Sequence, residues 1–563
     1  MAKPKTLSAQ EHAASFTSKQ RTIALVVVSL AFVMDLLDST IVNIAIPSIR
    51  TNLSATYSAI QWIVAGYSLA FAVLLVTGGR MGDVFGYKKL FLIGVSGFTV
   101  ASFLSGISPS ADFLITARML QGGMAALMVP QVMSLMQIMY KPEERGGING
   151  LFGALGGMAA SLGPVIGGLL IKANAFGWDW RPIFLINVPI GIFGFIAAVK
   201  YLPHGKSSHP LKIDIVGTLM IIVAMLLFIF PLIQGREYGW PLWTYVMLVA
   251  SIPAFLVFAW WQRRKDRLDG SPLILPALFR EGSFRSGLTV NFIFEMAMIG
   301  FFLTFGLLLQ IGFGFSPIHA ALTGLPVAIG IGGTMAVFGK KIPQLGRYAL
   351  LIGSIIMGFG LVATTYVARH YGVAIHSWQL IPTLLLVGVG MGMVFSSLYA
   401  AVLNGVDPSH AGSASGTLSA VQQAGAAVGV ALIGVVFFGQ LSHAAPKSFV
   451  AVEPQIRTSL SAEHIPSVAQ GKIIDGIKNC FVDRSHEQDS SVTPKSCQQA
   501  TASSNSNKRL SALIDKVALE ANTDNFTNAF RWSIIYAISL LVVTAGCTFF
   551  LPKKFQASAY SEM

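Results

Sequence analysis

Long apolar stretches recur along the whole chain and are separated by short polar segments. An apolar run of about 20 residues has the length that an α-helix needs to cross a bilayer. The pattern predicts an all-α integral membrane protein with 14 transmembrane helices. The expected spans are 22–47, 58–79, 90–109, 113–137, 148–171, 182–202, 214–233, 243–261, 286–309, 319–338, 348–368, 379–403, 413–439 and 530–551.

The composition agrees with a membrane protein. Only 11% of the residues are charged and 53% are hydrophobic, whereas a soluble chain carries about 25% charged residues. The sequence shows no cluster of metal ligands and no nucleophile triad. We therefore expect neither an enzyme nor a metal or other cofactor.

The basic residues predict the orientation of the chain. With the N-terminus inside, about 23 of the 39 Lys and Arg residues lie in cytoplasmic segments and about 5 in the short outer loops. This bias places both termini in the cytoplasm, in the inner (cytoplasmic) membrane of a cell. The net charge of +14 is then mostly an insertion signal, so no nucleic-acid partner is expected. The first span is too long for a signal peptide.

The two ends of the membrane region resemble each other at a nearly constant offset. A shift of 260 residues carries Gly79 and Gly86 onto glycines and carries Asp35 onto Glu295. Internal repeats of this kind are typical of transporters, which bind substrate between the two halves. The expected segments are a cytoplasmic tail 1–21, an N-terminal six-helix half 22–202, two inserted helices with a cytoplasmic loop 203–285, a C-terminal six-helix half 286–551 that includes an outer loop 441–528, and a cytoplasmic tail 552–563.

Two carboxylates lie in the middle of the first span. Asp35 and Asp38 are three residues apart, so they share one helical face and are expected to titrate as a pair. A carboxylate at this depth costs at least about 2.5–3.5 kcal/mol and marks a functional site by default. Arg118 lies inside the fourth span; it either pairs with these acids or extends to the outer interface.

Three cysteines occur in the chain. Cys480 and Cys497 share the long outer loop, where an oxidising compartment favours a disulfide between them. Two unpaired thiols are the alternative. The same loop contains two helix-like pieces, GKIIDGIKN and KRLSALIDKVALEAN, which favour a disulfide-linked hairpin.

Four ordered motifs resemble those of the major facilitator superfamily, in its branch of drug:proton antiporters with 14 helices. They are LDSTIVNIAIP in the first span, GGRMGDVFGYKKL after the second, RMLQGGMAA in the fourth and GALGGMAASLGPVIGGLL in the fifth. The resemblance covers the whole membrane region. It implies a major facilitator fold and proton-coupled drug export.

The resemblance also implies roles for individual residues. The family's aspartate matches Asp38, and the arginine linked to proton transfer matches Arg118. The loop after the second span is expected to gate the halves through Gly79, Asp83, Gly86 and Lys88, although Val84 and Tyr87 replace residues that are usually basic. The fifth helix is expected to pack tightly as an antiporter helix through Gly163, Pro164, Gly167 and Gly168.

The expected function is multidrug efflux by alternating access, in which an amphipathic and cationic compound is exchanged for protons. The expected coupling residues are Asp35, Asp38, Glu295 and Arg118. One alternative keeps the fold and exports a metabolite, siderophore, fatty acid or peptide. Another class is a membrane sensor or an adaptor-docking protein, with the outer loop 441–528 as its interaction surface. The same loop could also bind a periplasmic adaptor or act as an extracellular flap, and the sequence does not choose between these two.

Overall fold

The structure is a computed structural model that describes residues 18–140, 142–174, 177–206, 212–338, 342–403, 411–462, 467–486, 494–498 and 508–553. Most of the two predicted tails, 1–21 and 552–563, lies outside these residues. The helices are α1 (Ser18–Asn52), α2 (Tyr57–Phe85), α3 (Tyr87–Gly106), α4 (Ala111–Met139), α5 (Pro142–Ala173), α6 (Pro182–Tyr201), α7 (Ile215–Gln234), α8 (Leu242–Asp269), α9 (Gly282–Leu307), α10 (Pro317–Phe338), α11 (Arg347–Tyr371), α12 (Ser377–Leu403), α13 (Ala411–Ala462), α14 (Ser467–His486) and α15 (Lys508–Thr548).

The prediction of an all-α membrane protein is confirmed. No β-strand occurs among the described residues, and 13 helices are long and apolar enough to cross a membrane. The helix α5 completes a set of 14 spans, since it has 32 residues and an apolar outer part, Leu162–Ala173. The helix α14 is the one that lies outside this set.

The two halves repeat the same packing. In α5, a Cβ on Gly167 would lie 2.7 Å from the Ile41 side chain of α1. In α13, a Cβ on Gly429 would lie 2.8 Å from the Met296 backbone of α9. Small residues thus let α5 approach α1 in one half and α13 approach α9 in the other.

The loop glycines repeat as well. Gly86 and Gly346 precede α3 and α11 with φ angles of +100° and +59°. A side chain is disfavoured at such angles, which explains why both positions of the repeat carry glycine.

The inserted helices α7 and α8 are bound to the inner end of α2. Thr218 of α7 hydrogen-bonds Thr77 of α2 at 2.8 Å. The buried Arg80 guanidinium donates to the carbonyl oxygens of Ser271 (2.8 Å) and Pro272, which follow α8. Because one arginine holds the backbone after α8, the inserted pair is attached to the N-terminal half.

The outer loop 441–528 is largely helical. The helix α13 continues well past its predicted end at 439, and it runs through Pro446 and Pro454 without interruption. Together with α14 and the start of α15 it forms a cap outside the membrane. The cap has a small apolar core of its own, formed by Ala445, Phe449, Val452, Ile456, Leu460, Ile474, Ile477, Phe481 and Ala521.

A disulfide joins Cys480 of α14 to Cys497 in the short segment 494–498. A loop of this length contributes about 3 kcal/mol in the chain-entropy model. We expect reduction, or the Cys480→Ser variant, to speed trypsin cleavage at Arg484 and Lys495 while the transmembrane helices stay protected. Limited proteolysis of the purified protein measures this.

The Cys547→Ser variant is the matched control, because Cys547 lies in α15 with a free thiol. It should be digested like the wild type under oxidising conditions. Equal digestion of the reduced and oxidised wild-type cap would contradict the prediction.

Candidate transport site

Asp38 lies at the centre of a buried polar network. Its Oδ2 forms an ion pair with Nη1 of Arg118 from α4. Its Oδ1 accepts hydrogen bonds from Nε2 of Gln121 (2.8 Å) and from Nδ2 of Asn187 in α6 (3.0 Å). Gln121 also donates to Ser102 of α3 at 2.7 Å. Asp38 and Arg118 are 0% and 2% exposed, so the structure brings together the acid and the base that the sequence singled out, away from the interface.

Asp35 has a different environment. Its Oδ1 accepts a hydrogen bond from the hydroxyl of Tyr67 in α2. The same tyrosine ring lies under the guanidinium of Arg118, 4.3 Å from Cζ to the ring centre. Tyr67 therefore links the Asp35 carboxyl to the Asp38–Arg118 pair.

Glu295 occupies the equivalent depth in the C-terminal half. Glu295 is half-buried in α9. A Cβ added to Gly425 of α13 would lie 3.1 Å from the Cβ of Glu295. One turn earlier, Asn291 accepts from Gln422 at 3.4 Å. No hydrogen bond or ion pair is described for the Glu295 carboxyl, so this acid differs from both acids of α1.

At the end of the bundle that the charge bias predicts to face outward, called the outer side below, α2 and α13 close against each other. The rings of Tyr57 and Phe438 have centres 4.2 Å apart. One turn further in, Gln61 occupies the space beside Gly434, where a Cβ would lie 1.9 Å from Oε1. Arg236, which follows α7, donates to the Phe438 carbonyl at 3.4 Å. Burial lowers the pKa of this guanidinium.

Two further helix pairs close the outer side. A Cβ on Gly168 of α5 would lie 2.8 Å from Cα of Ile318 at the start of α10. A π-helical turn, Leu308–Gly312, ends α9 and carries Gln310, which donates to the Ile44 carbonyl of α1 at 3.1 Å. All three contacts join the N-terminal to the C-terminal half, so the halves are closed against each other at the outer side.

The glycines of the fifth-helix motif lie at contacts with two other helices. Gly163 lies against Thr40 of α1, where a Cβ would be 2.1 Å from Oγ1. Pro164 is inside the helix. Gly163 and Gly167 therefore face α1, while Gly168 faces α10.

In the predicted gating loop, the described side-chain hydrogen bonds of Asp83 and Lys88 lie within the N-terminal half. Asp83 accepts from the Tyr87 hydroxyl at 2.9 Å, so the tyrosine that replaces a basic residue is its partner. Lys88 donates to the Val199 carbonyl of α6 at 2.8 Å and thus anchors α3 within its own half. Gly79 faces Pro130 of α4 at 3.6 Å.

Sequence reasoning missed Tyr67, Gln121, Asn187 and Arg80. Each is a polar side chain that is almost fully buried, at 1%, 0%, 2% and 5% exposure. Polar groups within apolar spans are a signal that could have drawn attention to them. The motifs RMLQGGMAA and GGRMGDVFGYKKL contain Gln121 and Arg80, whereas Tyr67 and Asn187 lie outside the four motifs.

The sequence of this chain matches that of a known protein family. The model of the Major Facilitator Superfamily matches residues 28–216 and, a second time, residues 213–430. The chain belongs to the major facilitator superfamily. The two matches together extend from α1 to the middle of α13.

Relatives place this superfamily member in the drug-exporter branch. The chain is 39% identical to the probable actinorhodin transporter of Streptomyces coelicolor over 95% of its own length and 92% of that protein's. It is 33% identical to the methylenomycin A resistance protein of Bacillus subtilis, over 75% and 88%. It is 31% identical to the tetracenomycin C resistance and export protein of Streptomyces glaucescens, over 75% and 77%.

Solved structures share the fold. A bacterial homologue of the human lysosomal transporter Spinster superposes with a TM-score of 0.56 at 15% identity, covering 96% of this chain and 100% of that one. A peptide transporter of the POT type superposes with a TM-score of 0.56 at 15% identity, over 76% and 92%. The superfamily and these neighbours are transporters.

Proposed function

We propose that this drug-exporter family member is a proton-coupled antiporter that exports amphipathic organic compounds, cationic ones among them, by alternating access. The observation that carries the proposal is the set of acids within the membrane. Asp35 and Asp38 lie in one half and Glu295 in the other, and each has a different set of partners. Ionisable groups at such depth are typical of proton and cation pathways.

The arrangement supports exchange through competition. A carboxylate can hold a proton or attract a cationic compound, and binding of one then disfavours the other. Protons are the coupling ion, and no cofactor is needed. Release of the exported compound would require the closed outer side to open. The two halves would open it by rocking about the site that contains the acids. The charge bias of the loops supports a location in the cytoplasmic membrane with both termini inside.

The test uses purified protein in proteoliposomes with an imposed pH gradient and ethidium as the transported cation. Wild type should export ethidium only while the gradient lasts. Glu295→Gln and Asp35→Asn should lose gradient-driven export because each removes an exchangeable charge. The matched control is Glu281→Gln, since Glu281 precedes the same helix as Glu295 and is exposed. Wild-type export that ignores the gradient would refute proton coupling.

Export of a metabolite is the second candidate. It is favoured by the similarity to the probable actinorhodin transporter, which extends over nearly the whole chain. In the same vesicles, actinorhodin, the product in that relative's name, should then compete with ethidium. Transport of the product without any transport of ethidium would favour this candidate over multidrug efflux.

A further inference from the structure

Two acids on one face of α1 have unequal surroundings. Both oxygens of Asp38 are occupied: Arg118 binds Oδ2, while Gln121 and Asn187 donate to Oδ1. Donors of this kind favour the ionised carboxylate. A proton on Asp38 would displace a donor and would leave the Arg118 charge uncompensated, which is costly in a buried site.

Asp35 offers a free position for a proton. Its described hydrogen bond is the one from Tyr67 to Oδ1, so an O–H bond can form at Oδ2 while Tyr67 keeps its own proton. The carboxyl is 5% exposed. The ionisable groups that act on it are Asp38 on its own helix, Tyr67 on α2 and Arg118 on α4.

Tyr67 connects the two acids in a defined way. Its hydroxyl binds Asp35 and its ring supports the Arg118 guanidinium, which is itself held by Asp38. The tyrosine is 1% exposed, and Gly122 of α4 approaches its backbone so closely that a Cβ would lie 2.2 Å from the Tyr67 carbonyl oxygen. The backbone that carries Tyr67 is thus packed directly against α4.

We propose that Asp35 carries the exchanged proton, that Asp38 stays ionised as the permanent counter-ion of Arg118, and that Tyr67 is the positioning residue that holds Asp35 against this pair. This inference rests on the proposed proton coupling and assigns the residue that binds the coupled proton. The proton binds Oδ2 of Asp35 from one side of the membrane and leaves to water on the other, without a change at Asp38.

The test is a pH titration followed by infrared difference spectroscopy on protein reconstituted in lipid. The C=O stretch of a protonated carboxylic acid should appear as the pH falls. We expect the band of this site to vanish in Asp35→Asn and to remain in Glu295→Gln. Removal of the donor in Tyr67→Phe should move its midpoint to higher pH by about one unit, because a hydrogen bond to an ionised group is worth about tenfold or more in proton affinity.

Tyr536→Phe is the matched control. Tyr536 is a partly buried tyrosine of α15 whose buried hydroxyl has no described partner, so its removal should leave the midpoint unchanged. An unchanged midpoint in Tyr67→Phe would overturn the role of Tyr67. Survival of the band in Asp35→Asn would overturn the assignment of the proton. The infrared titration needs no transported compound, so it tests the assignment of the proton to Asp35 separately from antiport. A failure of antiport would be seen in the transport assay with vesicles, and a failure of this inference in the infrared spectrum.

Discussion

Replacement of Asp38 by asparagine is expected to abolish export and to lower the free energy of unfolding by about 3–5 kcal/mol. The variant leaves Arg118 at 2% exposure without a counter-charge, although its guanidinium keeps hydrogen bonds to Gln121 and Ile63. The apolar spans are unchanged, so the protein should still insert. Ethidium transport in proteoliposomes and thermal unfolding in detergent measure the two effects.

Removal of both charges separates stability from transport. The double variant Asp38→Asn/Arg118→Gln should recover most of the lost stability, because no unpaired charge remains, and should still fail to export. Asp112→Asn is the control, since Asp112 is an exposed carboxylate at the outer start of α4. Wild-type export by the Asp38→Asn protein would contradict the role of the pair.

Replacement of Gly168 by valine is expected to keep the outer side from closing. The nearest atoms to a Cβ at this position are backbone atoms, Cα of Ile318 at 2.8 Å and the Pro317 carbonyl oxygen at 3.1 Å. Backbone cannot yield as a flexible side chain can, so overpacking should cost the closed state about 1–3 kcal/mol. Export should fall to background because alternating access needs both closed states.

A thiol label reports the position of the gate directly. In a Cys547→Ser background, a cysteine at position 43 lies on α1 beside α9, since a Cβ on Gly306 would be 3.7 Å from the Asn43 carbonyl oxygen. A membrane-impermeant thiol reagent should react with it faster in the Gly168→Val protein. Gly324→Val is the control on α10, because nothing lies within 4 Å of a Cβ there. Equal labelling in both variants would contradict a closed seam at Gly168.

The sequence was sufficient to predict the transmembrane helices. Spans follow from the length of apolar runs, and the 260-residue shift predicted equivalent glycines, which the structure shows as the positive φ angles of Gly86 and Gly346. The sequence left open whether Arg118 pairs with an acid or extends to the interface. The structure places it on Asp38, because Gln121 and Asn187 complete a polar cluster at that depth.

The contacts between helices could not be predicted. When a span is apolar on all sides, its sequence does not indicate which face contacts a neighbouring helix. The hydropathy of α2 therefore could not predict the rotation of this helix that brings Tyr67 to Asp35. Arg80 binds backbone carbonyl groups. Because every residue has such a group, the sequence could not predict which ones Arg80 contacts. The extension of α13 into the cap was missed because its amphipathic sequence resembles a polar loop.

The uninterrupted helix α13 has a mechanical consequence. It crosses the membrane and continues through residues 440–462 into the cap, a stretch of roughly 35 Å at about 1.5 Å per residue. Such a rod acts as a lever arm: a tilt of the C-terminal half by a few degrees becomes a displacement of several ångströms at its tip. Spin labels on the cap and on the outer end of α1 would thus record the transport cycle from outside the membrane, in intact cells.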